Sequence, residues 1–303
     1  MRDSFGRDID YLRLSITESC NLGCIYCRPV EKPVKGTGLL TGFLSADRCV
    51  EIAGAAVRLG ITKVRLTGGE PCAHPDLVEI VRGIAAIPEV SEVCLTTNGT
   101  LIAPMAAELR AAGLARVNIS LDTLDPDRYR IITRGGSLAD ALAGLAAVKA
   151  AGFENTKVNC VLMDGINDDE FEAFEVFAAE QGVEVRFIEL MPIGPALDLM
   201  SGGTVTGQGV PDGGKVGQQP TCPHCPTIAP ISRPFCSTCN RIRVTADEHA
   251  KPCLHSAEEI DLHDLHGEDL ENALRAAILA KPAGHNLAQG SSQSLRNMLR
   301  IGG

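Results

Sequence analysis

The sequence predicts an α/β fold, a partial (β/α)6 TIM-like barrel followed by a C-terminal segment rich in cysteine. Three observations lead there. Six apolar strand patterns lie at 11–17, 63–67, 92–97, 116–121, 157–163 and 184–190. Helical patterns fall between them, an alternation that implies a parallel sheet with helices outside it. The alternation then stops near residue 194, and six units are too few to close an eight-fold barrel. A doubly wound open sheet is the other arrangement that the same alternation allows.

The strand patterns are rich in Val, Ile, Leu and Thr, as buried or half-buried strands should be. Ser45 reads as the N-cap of a helix that runs to about Leu59 and stops at Gly60. Leu138, Leu142, Leu145 and Val148 form an apolar stripe at helical spacing, and Phe171, Phe174 and Phe177 form the next. From 194 to 234 Gly, Pro, Gln, Ser and Thr dominate, which reads as a loop or linker. A last helix is expected over 267–280, with Leu270, Leu274 and Ile278 on one face. The expected organisation is therefore a barrel over 1–193, an irregular linker over 194–234 and a C-terminal segment over 235–303.

Composition narrows the function. Hydrophobic residues make up 45% of 303, enough for a sizeable core, and with aromatics at 4% that core must be aliphatic. The net charge of −10 makes the chain a poor partner for nucleic acid or an anionic membrane. An anionic ligand would need a local basic cluster. No run of 18 apolar residues and no apolar N-terminal stretch exist, so a cytoplasmic location is expected. Twelve cysteines in a reducing compartment read first as metal ligands or catalytic groups. Cys94 and Cys160 fall inside strand patterns and read as small core residues.

Cys20, Cys24 and Cys27 are separated by three and then two residues, directly after the first strand. The C-terminal end of a barrel strand is where such folds place their chemistry. Three thiolates can hold three irons of a cubane and leave the fourth open, as a catalytic metal needs. A zinc ion would want a fourth ligand, and residues 1–48 hold no His and no other Cys. Gly68-Gly69-Glu70-Pro71 follows the second strand, where glycines permit close backbone approach.

The cysteine loop, with Tyr26 before its last Cys, resembles the radical S-adenosylmethionine (SAM) superfamily. The resemblance implies a [4Fe–4S] cluster on Cys20, Cys24 and Cys27 whose open iron chelates SAM. It implies that Gly68, Gly69 and Glu70 meet the SAM amino group, with Thr96 and Ser120 nearby.

Cys236, Cys239 and Cys253 form a second triad, around Asn240-Arg241-Ile242-Arg243. Strand alternation puts Arg241 and Arg243 on one face, and two guanidinium forks on one face suit a polyphosphate. These residues, with Tyr11-Leu12-Arg13-Leu14-Ser15 and the terminal Gly302-Gly303, resemble the GTP 3′,8-cyclase family of molybdenum cofactor biosynthesis. The resemblance covers about 8–192 and 234–303. It implies two [4Fe–4S] clusters, with GTP as substrate and its guanine on the second cluster. Arg13, Lys63, Arg65, Lys157 and Arg186 match GTP-contacting positions, Met191 matches one near the SAM adenine, and Gly302 and Gly303 are implied in catalysis. It further implies a reductant protein such as flavodoxin or ferredoxin, a downstream cyclic pyranopterin synthase, and a homodimer. The segment 194–234 departs from the family pattern and carries Cys222 and Cys225. These two could join Cys236 and Cys239 as a four-thiolate zinc site, so the second metal stays open between zinc and iron–sulfur. Another radical SAM activity with an auxiliary cluster, such as peptide modification, or a non-catalytic metal protein, stays open too.

Overall fold

All six strand patterns become strands of one sheet in the computed structural model, which describes residues 1–29, 42–200, 226–285, 287 and 292–302. They are β1 (Tyr11–Ser15), β2 (Lys63–Thr67), β3 (Glu92–Thr97), β4 (Arg116–Ser120), β5 (Lys157–Leu162) and β6 (Glu184–Glu189). Four shorter strands follow: β7 (Thr227–Ile228), β8 (Arg241–Val244), β9 (His249–Lys251) and β10 (Ile260–Asp261). The sheet order is β10-β9-β8-β1-β2-β3-β4-β5-β6-β7. Strands β8 through β7 in that order run parallel, while β9 and β10 add antiparallel pairs at one edge.

Alternation along the strands puts Arg243, Arg13, Arg65, Asn118, Asn159 and Arg186 on one face, and all six line a single cavity. A flat sheet could not bring β8 and β6 round the same space, so the sheet is curled. Strands β7 and β8 do not pair, and the curl therefore stays open as a partial barrel. This excludes the doubly wound alternative.

The helices are α1 (Ala46–Arg58), α2 (Leu77–Ala85), α3 (Ala106–Ala111), α4 (Pro126–Ile132), α5 (Leu138–Ala150), α6 (Phe171–Gln181), α7 (Ala196–Met200), α8 (Gly267–Leu279) and α9 (Met298–Ile301); the long ones pack against the sheet's apolar outer face, whereas Ala196 of α7 and Met298 and Leu299 of α9 line the cavity. Ser45 caps α1 as expected, its hydroxyl accepting from Arg48 N at 3.2 Å. That helix buries Cys49, Ile52, Ala53 and Ala56 and packs on α2 and α8. Full burial of a side chain such as Ile52 contributes about 1.5–3 kcal/mol. Helix α6 stops at Gly182, whose φ of 63° suits a residue without Cβ. The core is mostly Ile, Leu, Val and Ala, joined by Tyr129, Phe174 and Phe187. Cys94 and Cys160 are fully buried, Cys160 within that core. No described helix is long and apolar enough to cross a membrane.

The segment 194–234 differs from its expected irregularity at both ends. It opens with α7 and closes with β7, which pairs on β6. The reason lies at the end of β6. The buried Glu189 carboxylate accepts from Ile231 N at 2.7 Å and Ser232 N at 3.1 Å, pinning the chain just after β7. Cys222 and Cys225 lie outside the described residues.

The C-terminal segment joins the barrel's own sheet through β8, in register with β1 as Tyr11↔Arg241 and Arg13↔Arg243. The N-terminus braces it. Arg7 donates to the carbonyls of Cys236 (2.8 Å), Pro282 (2.7 Å) and Ala283 (3.2 Å), and the Asp3 carboxylate holds Arg7 in place.

Candidate active site

The first cysteine loop leaves β1 and is held by the turn after β2. Gly69 N donates to Thr17 O at 2.8 Å and Glu70 N to Ser19 O at 2.7 Å. A Cβ at Gly69 would sit 2.3 Å from Ser19 O, and one at Gly68 (φ 146°) 2.5 Å from Thr17 O. Both glycines are thus required for backbone to meet backbone at the cysteine loop. Glu70 is fully buried, and burial pushes its carboxyl pKa up. It accepts from Cys72 N (2.9 Å), Thr97 Oγ1 (2.6 Å) and Asn98 N (2.7 Å). Asn98 in turn donates to Asn21 Oδ1 at 2.9 Å, beside Cys20. Glu70 therefore ties the ends of β2 and β3 to the loop. Tyr26 donates to Asp122 Oδ2 at 2.8 Å, and burial raises the Asp122 carboxyl to about 6.

The donor set fits a cationic metal body. Burial first pushes the Cys20 and Cys27 thiols up to about 12, with Glu70 next at Cys20 and Cys20 next at Cys27. Burial raises Cys24 further, helped by Asp122 and Cys27. Without a cation these groups stay protonated, and bound iron would stabilise them as thiolates. None of them is in a disulfide.

In the second triad, Cys236 opens a 3₁₀ turn (Cys236–Thr238), and Cys253 follows β9. Burial raises the Cys239 pKa, but Lys281, the N–H of Arg241 and the Arg241 charge outweigh it and lower the thiol overall. Among the described residues, the group whose ligand atoms all lie within 4.8 Å of one another is His249, Asp261 and His263. All six cysteines of the two triads line the same cavity.

Both triads face one cavity of about 450 Å³, within the range of small-molecule sites. Gly68, Gly69, Glu70, Thr96, Ser120 and Met191 line it, as do Arg13, Lys63, Arg65, Arg186, Arg241 and Arg243. Lys157 does not; its ammonium pairs with Glu184, which Arg186 shares. Lys63 and Arg116 likewise share Glu92. Arg65 donates to Leu95 O at 3.0 Å and Thr96 Oγ1 at 3.1 Å. Arg243 donates to Gly302 O at 2.9 Å, which brings the tail to the cavity wall. Burial, then Arg241, lowers the Arg243 pKa to about 10; burial, then Arg243, lowers Arg13 well below its ordinary value. Cations packed this closely favour an anion between them. Gly303 lies outside the described residues.

Several wall residues escape a motif reading: Arg116, Asn118, Asn159, His255 and His285. Arg116 and Asn118 share strand alternation with Ser120, and Asn159 shares it with Lys157. Extending that alternation along each strand would have found three of the five.

The radical SAM superfamily model matches residues 14–178, and the Molybdenum Cofactor Synthesis C model matches 221–287. A GTP 3′,8-cyclase of Alkaliphilus oremlandii is 40% identical over 331 residues, covering 100% of both chains. One of Petrotoga mobilis is 39% identical over 329 residues with the same coverage. Among solved structures, Streptococcus suis SuiB bound to S-adenosylmethionine matches with a TM-score of 0.62 and 13% identity. That match covers 97% of this chain and 77% of SuiB, and supports the fold alone. With one family model spanning more than half its length and full-length relatives at 40% identity, the chain belongs to the GTP 3′,8-cyclase family of radical SAM enzymes.

Proposed function

We propose that this chain is a radical SAM lyase that converts GTP to (8S)-3′,8-cyclo-7,8-dihydroguanosine 5′-triphosphate in molybdopterin biosynthesis. The observation that carries the reading is that two cysteine triads and six of the expected cationic side chains line one cavity. A [4Fe–4S] cluster held by the first triad would supply the electron for reductive cleavage of SAM, with methionine as the other product, and one held by the second triad would help bind the substrate.

The chain's own residues bind and orient. Cys20, Cys24 and Cys27 would hold the first cluster, and Cys236, Cys239 and Cys253 the second. Gly68, Gly69, Thr96, Ser120 and Met191 would form the SAM side, with Glu70 keeping the glycine turn against the loop. Arg13, Lys63, Arg65, Arg186, Arg241 and Arg243 would neutralise the triphosphate. Lys157 would join them once released from Glu184. Guanidinium forks fix phosphate oxygens in place as well as attracting them. Gly302 would stand at the reacting sugar through its contact with Arg243. Positioning of this kind is the protein's share of cofactor chemistry.

The reading extends to a reductant protein such as flavodoxin or ferredoxin, to a cyclic pyranopterin synthase that takes the product, and to a homodimer. Family membership is what supports these three. Anaerobic titration of the reconstituted enzyme tests the substrate: saturable binding of GTP in preference to ATP is expected. Equal binding of the two, or preference for a peptide, would replace the substrate.

A further inference from the structure

Asn118 on β4 and Asn159 on β5 line the cavity between the groups assigned to the two ligands. Asn118 is only 8% exposed. The Oδ1 atoms of both are buried and have no hydrogen-bond partner among the described residues. Leaving a buried amide oxygen unpaired costs about 1–3 kcal/mol, and native interiors keep few such groups. A nearby asparagine shows the contrast. Asn167 donates to Asp122 O at 2.6 Å and Val161 O at 2.8 Å, and accepts from Met163 N at 2.8 Å. Asn167 is a satisfied structural strut, whereas Asn118 and Asn159 await a partner from within the cavity.

The identity of that partner follows from chemistry and placement. An amide can turn end for end without changing its shape, so a partner that both donates and accepts satisfies it in either orientation. A hydroxyl is such a group. On β4, Arg116 lies two residues before Asn118 and Ser120 two after, all on one face. Asn159 is in register with Ser120 on one side and Arg186 on the other. The two amides thus form a step between cations and the SAM-side serine. In a nucleoside triphosphate, the moiety between the phosphates and the base is a sugar bearing two hydroxyls.

We propose that Asn118 and Asn159 hydrogen-bond the ribose hydroxyls of the nucleotide substrate and fix the sugar's reactive face toward the SAM side. This rests on the reading of GTP as substrate. Both residues touch substrate and orient it, and neither moves a proton.

The test uses the reconstituted full-length enzyme under anaerobic conditions. Dissociation constants are measured for GTP, 2′-deoxy-GTP and 3′-deoxy-GTP on wild type, Asn118→Ala and Asn159→Ala, with SAM affinity and iron content measured on each. Wild type should bind at least one deoxy analogue about tenfold more weakly than GTP. Each Ala variant should lose about tenfold for GTP and lose discrimination against one analogue, while SAM affinity and iron content hold. Asn118→Ser should recover part of the discrimination. Variants that bind GTP and still discriminate fully would overturn the inference alone. Variants that lose SAM and keep GTP would overturn it by moving the asparagines to the other ligand. A wild type that fails to bind GTP would remove the substrate reading and this inference with it.

Discussion

Arg243 concentrates the substrate argument in one side chain. It is buried, its pKa is drawn down by its surroundings, and it links the cavity to the tail through Gly302 O. Arg243→Ala should weaken GTP binding by about 1.5–3 kcal/mol, a tenfold or larger rise in Kd, because one charge-assisted donor group is lost. Arg243→Lys should recover only part, since an ammonium keeps the charge and loses the fork. SAM affinity should not change. Paired titrations on both variants check this, and equal GTP affinity in wild type and Arg243→Ala would remove the residue from the site. Gly302 gives a second residue-scale prediction. Its φ is 78°, and a Cβ would lie 2.7 Å from Thr67 Oγ1 and 2.8 Å from Ser15 Cβ. Gly302→Ala should therefore shift the carbonyl that Arg243 holds and cut the cyclisation rate tenfold or more, on the order of a 1.4 kcal/mol loss. Iron content should stay at the wild-type level; a normal rate would detach the tail from the chemistry. Arg241 and Arg243 were legible in the sequence because alternation fixes their shared face. Asn118 and Asn159 were not, since an unpaired amide is a property of packing and carries no motif.

At the scale of elements, local pattern located strands well and long-range pairing poorly. The six barrel strands start where their apolar runs start and end within one or two residues of them. Strands of two or three residues such as β7, β9 and β10 carry too little periodicity to be seen. The seating of β8 beside β1 depends on contacts more than 200 residues apart, which no local spacing encodes. The brace from the N-terminus to the second triad is equally non-local, and it makes a prediction. Asp3 is buried and accepts from Phe5 N (2.9 Å), Arg7 N (3.0 Å) and the Arg7 guanidinium. Burial pushes its carboxyl up, but those bonds outweigh burial and hold it below its ordinary 3.8. A carboxyl depressed in the folded state contributes stability that is fully present above 3.8 and lost as pH falls through the folded value. Asp3→Asn should therefore lower Tm at neutral pH and narrow its gap to wild type as the solution is acidified past that point. Thermal unfolding across that range measures it, and a gap that widens in acid would contradict the assignment. The same variant should retain iron on the first triad and lose it more readily from the second, because Arg7 then holds the Cys236 carbonyl less firmly.

Across the whole molecule, a chain of net charge −10 nevertheless sets a cluster of cations on the wall of one cavity. Composition alone makes the chain a poor generic polyanion binder, and the curled sheet supplies the local basic cluster by turning one face of its barrel strands onto a shared cavity. The open edge between β7 and β8 leaves the second triad, which neighbours β8, as part of that cavity's wall. Two cubanes on two triads give roughly eight irons per chain after anaerobic reconstitution. Tightly bound zinc that disappears on mutating Cys222 or Cys225 would point to the four-thiolate alternative. One cavity that holds both triads should couple SAM cleavage to cyclisation of GTP. The most direct test of that coupling incubates the reconstituted, reduced enzyme with SAM, with and without GTP, and quantifies 5′-deoxyadenosine and the 3′,8-cyclised nucleotide. Both products should form together when GTP is present, and Cys24→Ala, loaded at the second triad, should form neither. 5′-Deoxyadenosine made equally with and without GTP and with no cyclised product, or undiminished cleavage by Cys24→Ala, would contradict it.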